Sequence, residues 1–307
     1  MHLLIDGDVL VYRYGFAAEH MWYDLWWNHD VELVTDEETG EETTAVKASA
    51  KSPFKSFENA KDCKAWLDAE KKAGRPTDEL VRIPRLNVEP LDHSLFLVKQ
   101  FYQRLRETLP DSTARTFFSC PTPDNWRIEW YPEYKGHRSG RKPMWYDDIR
   151  TYMLRNHSVE IRENDEADDA IAEWAGIYHR DNEPFIIVTN DKDMRQIPGL
   201  HLDPFKEDWE VVEVDEYEAD YNVALQCIMG DASDNIKGIP KMGEVAANKA
   251  LHGIEDYWEE VERLYAIHYA DDWRYHFALT RLLVTLPTTT EERDALKEAV
   301  KDAWTED

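Results

Sequence analysis

Carboxylates are the residues of this chain whose spacing indicates chemistry most directly. They fall in four separate segments, which contain Asp6 and Asp8; Glu166, Asp168 and Asp169; Asp191 and Asp193; and Asp231 and Asp234. Two carboxylates about 4 Å apart repel by on the order of 4 kcal/mol at an effective dielectric near 20, so a gathered set must take up protons or bind cations. Because no histidine or cysteine accompanies them at matching spacing, the ligands would be oxygens, which favour Mg²⁺ or Mn²⁺ over zinc. Two such ions about 4 Å apart can activate a water and orient a phosphodiester, so phosphodiester hydrolysis is predicted.

The elements that must position these acids read as strands and helices in alternation. The apolar run "LLI" ends in "DGD" at residues 6–8, and the run 185–188 is followed by Asp191 and Asp193. Both runs are typical of buried parallel strands, whose carboxyl ends share one edge of the sheet and face the ligand crevice. The segment 95–109 has helical spacing, and "TARTFFS" reads as a return strand. An α/β fold with a mostly parallel sheet flanked by helices is therefore predicted.

The segment "RENDEADDAIAEWAGIY" reads as a helix that carries acids at its start. Asn164 or Asp165 is the predicted N-cap. The apolar stripe that should pack inward consists of Ala167, Ala170, Ile171, Trp174 and Tyr178. Acids also suit a helix N-terminus because the helix dipole favours negative charge there, and this segment alone does not decide between the two explanations.

Two domains are predicted. Residues 1–222 form the α/β domain and contain an insertion at about 19–94, with a hairpin around Gly40 and a helix ended by Gly74. From residue 223 to residue 307 the pattern becomes helical.

The run "GDASDNIKGIPKMGEVAANKAL", residues 230–251, combines acids with a turn and a helix start. A bend at Gly238 and a second glycine, Gly243, precede an alanine-rich helix, and Lys237, Lys241 and Lys249 surround the turn. Backbone N–H groups at such a helix start can bind phosphate, and the lysines add sequence-independent attraction to a DNA backbone. The alternative is a turn that simply joins two helices.

A short basic segment stands out in an acidic chain. Residues 135–142 hold Lys135, Arg138, Arg141 and Lys142 and no acid, and Tyr134 precedes them, with Tyr131, Trp145 and Tyr146 also nearby for base stacking. The net charge of −27 taken alone argues against a nucleic-acid partner, so this local reversal of charge favours DNA contact over a solvated basic loop.

Three separated cysteines indicate neither a disulfide framework nor a zinc site, and no apolar run reaches membrane-spanning length. A soluble, cytoplasmic monomer is expected.

The chain resembles the 5′-nuclease family, which includes flap endonucleases, the exonuclease domain of bacterial DNA polymerase I and bacteriophage 5′→3′ exonucleases, and it is most similar to the phage members. The resemblance rests on "LLIDGD", "YPEYKGHR", "DEADDAIAE", "VTNDKDMRQIPG", "MGDASDNIKGIPKMGEVAANKAL" and "RLLVTLPT", in this order. It implies a PIN-like sheet followed by a helix–three-turn–helix DNA-binding subdomain that also holds K⁺.

The resemblance further implies which residues act. The implied metal ligands are Asp6, Glu166, Asp168, Asp169, Asp191, Asp193, Asp231 and Asp234, with Asp6, Asp169 and Asp191 central to catalysis. Lys135 and Arg138 would approach the scissile phosphate, and DNA would contact Tyr134, Lys135, Arg138, Arg141, Lys142, Lys237, Gly238, Lys241, Gly243 and Lys249. Where the family usually has a metal-binding aspartate after the strand at 114–119, this chain has Ser119 and Cys120, and Asp124 is the predicted substitute.

The predicted activity is that of a Mg²⁺-dependent 5′→3′ exonuclease, with Mn²⁺ as a substitute. It would act on duplex or flap DNA and leave short 5′-phosphorylated products. It would be phage-encoded, act in the host cytoplasm and work beside a replication polymerase. Three alternatives remain open: a structure-specific flap endonuclease, an RNase H-type activity on RNA–DNA hybrids, and a non-catalytic DNA-end binder.

Overall fold

The computed structural model describes residues 1–35, 42–137 and 140–305. Their strands are β1 (His2–Asp6), β2 (Glu19–Trp27), β3 (Val31–Thr35), β4 (Glu42–Val46), β5 (Lys55–Phe57), β6 (Leu80–Val88), β7 (Thr113–Phe118), β8 (Val159–Ile161), β9 (Phe185–Val188), β10 (Gly199–Leu202), β11 (Val211–Val214), β12 (Gly230–Asp231) and β13 (Ile236–Lys237). Their helices are α1 (Gly7–Ala17), α2 (Ala60–Lys72), α3 (Leu91–Thr108), α4 (Arg127–Trp130), α5 (Tyr146–Asn156), α6 (Ala167–Arg180), α7 (Glu216–Met229), α8 (Glu244–Leu251), α9 (Tyr257–Tyr269), α10 (Trp273–Val284) and α11 (Thr290–Thr305). Short 3₁₀ turns cover Asn28–Asp30, Thr122–Asp124, Lys192–Gln196 and Ala270–Asp272.

The chain divides into two compact units. The α/β unit comprises Met1–Arg13, Leu95–Lys142 and Tyr146–Asp307, and the insertion unit comprises Tyr14–Ser94 and Pro143–Trp145. The second unit includes residues 19–94, and the status of that segment as an insertion stays a prediction. Helix α7 crosses residue 222, and a domain boundary at that residue stays a prediction.

A six-stranded sheet forms the centre of the α/β unit. Its order is β11-β10-β9-β1-β7-β8, and every neighbouring pair is parallel except β10 with β11. The central strands β1 and β9 are short and apolar, with Leu3, Leu4 and Ile5 fully buried. Because β1 lies between β7 and β9 in parallel register, the residues that follow these three strands meet at one edge. The mixed α/β fold with a mostly parallel sheet is confirmed.

Helix α6 is attached to this sheet by the predicted apolar stripe. Ala167, Ala170, Ile171 and Tyr178 are buried in one cluster with Leu4 of β1, and Trp174 packs against them. This contact fixes the first turn of α6, and hence its acids, close to the end of β1.

The C-terminal part of the α/β unit is helical, as the sequence predicts. Helices α7, α8, α9 and α10 share a buried cluster around Cys227, Ala247, Val261 and Leu283. The loop between α7 and α8 contains the two-residue strands β12 and β13, which pair antiparallel. Among the described helices, none combines the length and the apolar character needed to cross a bilayer.

The insertion unit is an antiparallel sheet with one helix. Its strand order is β5-β2-β6, and β3 with β4 forms a separate hairpin. That hairpin is the one predicted, although its tip, including Gly40, lies outside the described residues. Helix α2 is also as predicted, and Gly74 follows it with φ +72°, a conformation that glycine adopts without steric cost.

Candidate active site

The carboxyl ends of β1 and β9 bring Asp6 and Asp191 together. The Oδ2 atom of Asp6 accepts a hydrogen bond from the Thr189 hydroxyl (3.0 Å), and that hydroxyl accepts from the backbone N–H of Asp191 (3.0 Å). The Oδ1 atom of Asp6 accepts from the N–H groups of Asp8 and Val9 (3.1 and 3.3 Å) at the start of α1. Asp6 is 3% exposed, so its orientation is fixed from two sides.

Helix α6 adds Asp168 to this group. Burial and the negative charges of Asp6, Asp191 and Glu166 raise the pKa of Asp168 well above its ordinary value, while Lys135 acts in the opposite direction. Burial and the charge of Asp8 raise the pKa of Asp6 to about 7, and Asp191 adds to this effect. The acids therefore lie close enough to destabilise one another's ionised forms, as the sequence predicts.

A second group of acids surrounds a buried cation. The Tyr134 hydroxyl lies 2.8 Å from both Glu166 Oε2 and Asp234 Oδ2, so its single proton is shared between two carboxylates. The Lys135 ammonium contacts Glu166 Oε1 and lies 3.5 Å from Asp234 Oδ2, and its side chain is 10% exposed. Lys135 has φ +54°, and its N–H donates to the carbonyl of Asp234 (2.9 Å). Lys135 thus links the acids of α6 to the α7–α8 loop.

Asp193 and Asp231 complete the acidic set. Burial and the charge of Asp191, then that of Asp231, raise the pKa of Asp193 to about 7. The Gln226 amide of α7 donates to Asp193 Oδ1, and Ser233 donates to Asp231 Oδ1 through both its N–H (2.7 Å) and its hydroxyl (2.6 Å). A cavity of about 30 Å³ lies among acids of both groups, namely Glu166, Asp168, Asp193, Asp231 and Asp234. Such a space accommodates about one water-sized occupant.

The ligand atoms that these acids offer are of the type that a hard divalent cation prefers. The acids offer only oxygen atoms, and the pKa values of three of them are raised first by burial and then by mutual repulsion, which a cation would relieve. In the part of the chain that the structure describes, no three His, Cys, Asp or Glu side chains stand close enough to share one ion. The carboxylates Glu166 and Asp234 are instead held by Tyr134 and Lys135.

Asp169 lies apart from this set, and its predicted place among the metal ligands stays a prediction. Both of its carboxylate oxygens bind the Arg127 guanidinium at 2.8 Å, and the Trp126 indole N–H lies 3.3 Å from Oδ2. Burial tends to raise the pKa of Asp169, but Arg127 more than offsets this and holds it below the ordinary value. Asp169 Oδ2 also accepts from the N–H of Glu166 (3.1 Å). Its contacts are therefore those of an anchor for the start of α6.

The N-cap of α6 is Glu166, not Asn164 or Asp165 as predicted. The difference arises because the Asp169 side chain accepts the Glu166 N–H, which places the first helical turn one residue later than Asp165. Arg127 itself has no signal in the sequence, since a single arginine between Trp126 and Ile128 shows no motif that indicates burial; it is 2% exposed.

Asp8 and Arg150 form a pair that sequence reasoning did not assign. Asp8 Oδ2 accepts from the backbone N–H of Ser119 (3.0 Å), directly after β7, and Oδ1 accepts from Arg150 of α5 (2.9 Å). The Arg150 guanidinium also lies 4.1 Å from the centroid of the Phe118 ring. The carboxylate at the end of β7 therefore comes from Asp8, whereas the predicted substitute Asp124 is exposed in the turn Thr122–Asp124.

The α7–α8 loop is shaped by two glycines in close contact. A Cβ on Gly238 would lie 2.2 Å from the Gly230 nitrogen, and a Cβ on Gly230 would lie 2.3 Å from the Gly238 nitrogen. Gly230 has φ +66°. This packing explains Gly238 without a phosphate contact, and it holds Asp231 and Asp234 between the two glycines.

The predicted lysines on both sides of Gly238 are exposed. Lys237, Lys241 and Lys249 are exposed, whereas Ile236 and Ile239 are buried in the helical cluster. Gly243 is the N-cap of α8, and a Cβ added to it would have open space around it. The α7–α8 loop and α8 therefore carry exposed lysines in the segment where the sequence predicts DNA contact.

The side chains of the basic segment differ in their exposure. Tyr134 is 2% exposed, and its predicted contact with DNA stays a prediction. Lys142 Nζ lies 4.3 Å from the centroid of the Tyr146 ring, and Arg141 is exposed. Arg138 lies outside the described residues.

Comparison with known proteins agrees with the resemblance drawn from the sequence motifs. Residues 89–222 match the sequence model of the 5′-3′ exonuclease N-terminal resolvase-like domain. DNA polymerase I of Pseudomonas aeruginosa is 31% identical over 166 residues, which is 49% of this chain and 18% of the polymerase. The 5′-3′ exonuclease of Buchnera aphidicola subsp. Schizaphis graminum is 26% identical over 157 residues, 47% of this chain and 55% of that protein.

Among solved structures, the T5 D15 protein co-crystallised with metal ions aligns with a TM-score of 0.49 at 18% identity, over 68% of this chain and 89% of that one. The sequence comparisons, which match residues 89–222 to the family's N-terminal domain, confirm the predicted resemblance of this chain to the 5′-nuclease family.

Proposed function

We propose that this chain is a metal-dependent 5′→3′ nuclease that hydrolyses phosphodiester bonds of DNA at the acidic edge of its parallel sheet. The observation that carries the proposal is the convergence of Asp6, Asp168 and Asp191 from three elements, with raised pKa values for Asp6 and Asp168. A structural role alone gives no reason to gather repelling carboxylates at one sheet edge. Similarity to DNA polymerase I and to 5′-3′ exonucleases supports the same reaction.

The residues that would hold the cations form two groups. Since no three of the described acids stand close enough to share an ion, cation binding would have to draw these side chains together. Asp6, Asp168 and Asp191 would then hold one ion, and Glu166, Asp193, Asp231 and Asp234 the other; Mg²⁺ is the proposed ion, with Mn²⁺ as a substitute. When bound, the ions supply Lewis-acid polarisation of the phosphodiester and activation of water. A K⁺ ion at the carbonyls of the 230–243 loop stays a prediction.

The chain's own side chains prepare this site. Thr189 and the N–H groups of Asp8 and Val9 orient Asp6, and Gln226 orients Asp193. Lys135 is a buried ammonium beside Glu166, where it would stabilise negative charge that develops on a phosphate. The exposed Lys237, Lys241 and Lys249 would attract the DNA backbone.

The test is hydrolysis of 5′-labelled duplex, 5′-flap and RNA–DNA hybrid substrates in Mg²⁺, with product lengths resolved. Short products from duplex ends support the 5′→3′ exonuclease. One internal cut at a junction favours a structure-specific endonuclease, and cleavage confined to the hybrid favours primer removal. A replication polymerase as partner and a monomeric state stay predictions.

The matched variants are Asp191→Ala and the exposed Asp124→Ala. Asp191→Ala should abolish hydrolysis and retain DNA binding, whereas Asp124→Ala should leave both unchanged. DNA binding without hydrolysis by the unsubstituted chain in Mg²⁺ or Mn²⁺ would favour a DNA-end binder and contradict the proposal.

A further inference from the structure

Two glutamine side chains connect Asp193 to the end of α10. The Gln226 amide of α7 donates to Asp193 Oδ1, and its Oε1 atom accepts a hydrogen bond from the Gln196 amide. The Nε2 atom of Gln196 also donates to the carbonyl of Val284 (2.8 Å), and its Oε1 atom accepts from the N–H of Leu286 (3.2 Å). Gln196 is 7% exposed. We call these two side chains the amide chain.

Backbone atoms at the end of α10 fix the direction of the amide chain. The Val284 carbonyl can only accept and the Leu286 N–H can only donate, so Gln196 must turn its Nε2 atom to the first and its Oε1 atom to the second. Both protons of that Nε2 atom are then used, one on Val284 and the other on Gln226. Gln226 must therefore present its oxygen to Gln196 and its NH₂ group to Asp193.

The acidic end of the amide chain requires the same direction. An ionised carboxylate has only acceptor atoms, so Asp193 Oδ1 binds Gln226 only when the NH₂ group of that amide faces it. Within the described part of the chain, Asp193 Oδ2 accepts no hydrogen bond. Asp193 and Gln226 both line the cavity of about 30 Å³ among the acids. The amide chain therefore fixes one oxygen of Asp193 and leaves the other without a protein donor.

Gln196 also has a structural role at the end of α10. The last four carbonyls of an α-helix have no intrahelical partner, and Val284 is the last residue of α10. Gln196 satisfies that carbonyl, and this alone would explain its burial. The bond to Gln226 adds a second role, because without it the Gln226 amide can rotate and turn its oxygen toward Asp193, where the two oxygens repel.

We propose that Gln196 is a positioning residue for the cation that Asp193 would hold, and that it acts through the direction of the Gln226 amide. The inference rests on the proposed function in taking Asp193 as a metal ligand. None of the described acids is hydrogen-bonded to Gln196, so the effect passes through Gln226. Loss of a partner that orients a metal ligand typically lowers metal affinity about 10–100-fold.

The experiment measures Mn²⁺ binding by electron paramagnetic resonance in the full chain with Gln196→Met, with Gln226→Leu and with both substitutions. Gln196→Met keeps an unbranched side chain and removes the amide. Two control variants are compared with these. Gln100→Met removes an exposed amide, and Tyr102→Phe removes a buried hydrogen bond to Thr116 (2.6 Å) between α3 and β7.

We expect each single substitution in the amide chain to weaken the binding of one Mn²⁺ ion about tenfold. The double variant should bind that ion no more weakly than Gln226→Leu alone, because both effects share one route. Gln100→Met and Tyr102→Phe should leave Mn²⁺ binding unchanged. Unchanged binding in Gln196→Met, or two effects that multiply in the double variant, would overturn the proposal. Equal weakening in Tyr102→Phe would also overturn it, since it would assign the loss to reduced stability.

A second measurement needs no substitution in the amide chain. The sequence contains four glutamines, of which Gln100 and Gln103 are exposed. In nuclear magnetic resonance spectra of the chain with isotopically labelled glutamine, Gln100→Met and Gln103→Met identify the side-chain signals of those two. The remaining signals belong to Gln196 and Gln226, and both should shift when Mg²⁺ is added. A shift of one of them only, or of neither, would overturn the proposal even if Gln196→Met fails to fold.

Hydrolysis of 5′-labelled duplex in Mg²⁺ separates this inference from the proposed function. If Mn²⁺ binding depends on the amide chain as expected but the unsubstituted chain hydrolyses nothing, the proposed function is contradicted and this inference is not. If the unsubstituted chain hydrolyses the duplex while Gln196→Met binds Mn²⁺ equally well, this inference alone is contradicted.

Discussion

The guanidinium of Arg127 binds both carboxylate oxygens of Asp169 in a buried pair, with each N···O distance at 2.8 Å. Arg127 also donates to the carbonyls of Leu283 (3.0 Å) and Thr285 (3.3 Å) at the end of α10. One side chain therefore connects the start of α6 to the C-terminal helices, and the acids that follow Glu166 depend on it for their position.

We expect Arg127→Met to destabilise the fold by about 3–5 kcal/mol, because it leaves the Asp169 carboxylate buried without a partner. Urea denaturation monitored by tryptophan fluorescence measures this. Arg263→Met, which breaks an exposed pair with Glu260, is the control and should change little. A similar loss in both variants would contradict the anchoring role.

The pH dependence of stability should reflect the raised pKa values of Asp6 and Asp193, both about 7. A carboxyl whose pKa is higher in the folded than in the unfolded chain, where it is about 3.9, binds more protons when folded. In EDTA, the free energy of unfolding should therefore fall as pH rises from about 4 through 7. Denaturation curves across this range measure the decline.

The variants Asp6→Asn and Asp193→Asn should each make that decline shallower, and Mg²⁺ should reduce it in the unsubstituted chain. Asp169 works in the opposite direction, since its pKa is lowered: its contribution is present above the unfolded pKa of about 4 and is lost at more acidic pH. A stability that rises steadily from pH 4 to 7 in EDTA would contradict the crowding of the acids.

The close contact of Gly238 with Gly230 predicts a sharp difference between two glycine substitutions. Gly238→Ala would place a Cβ 2.2 Å from a backbone nitrogen, which must displace the loop that holds Asp231 and Asp234. We expect hydrolysis to fall at least about tenfold, since misplaced catalytic groups are costly. Gly243→Ala, with no atom within 4 Å of the new Cβ, should retain activity. Equal activity of the two variants would contradict this account.

Lys135 gives a prediction that separates charge from packing. Lys135→Met keeps most of the buried volume but removes the ammonium beside Glu166 and Asp234. We expect kcat to fall about 10²–10³-fold, the usual range for loss of one group that stabilises developing charge. The exposed Lys301→Met is the control. Single-turnover hydrolysis with saturating enzyme measures the change, and an effect on KM alone would assign Lys135 to binding instead.

The local sequence pattern correctly predicted the two strands and the helix that carry this site. The runs at 3–5 and 185–188 become adjacent central strands, because only an apolar segment is stable when buried on both sides of a sheet. The stripe from Ala167 to Tyr178 becomes the buried side of α6 for the same reason. Asp6, Asp168 and Asp191 lie in or just after these elements, so their positions could be predicted from the local sequence pattern.

Contacts between distant segments could not be predicted in the same way. Asp169 and Asp168 are adjacent in sequence, yet Asp169 binds Arg127 whereas Asp168 lies near Asp6. The reason is that neighbouring residues of a helix point in different directions. Tyr134 reads as a stacking residue but is buried by the α7–α8 loop, whose Asp234 binds its hydroxyl. The Asp8 contact with Ser119 spans 111 residues, and no local spacing encodes it.

The central claim is that the gathered carboxylates bind divalent cations, and a titration with Mn²⁺ followed by electron paramagnetic resonance at neutral pH tests it directly. The account predicts two bound ions per chain, with at least one lost in Asp168→Asn and none lost in the exposed Asp124→Ala. Free Mn²⁺ that rises in proportion to the amount added, or equal binding by the unsubstituted chain and Asp168→Asn, would contradict it.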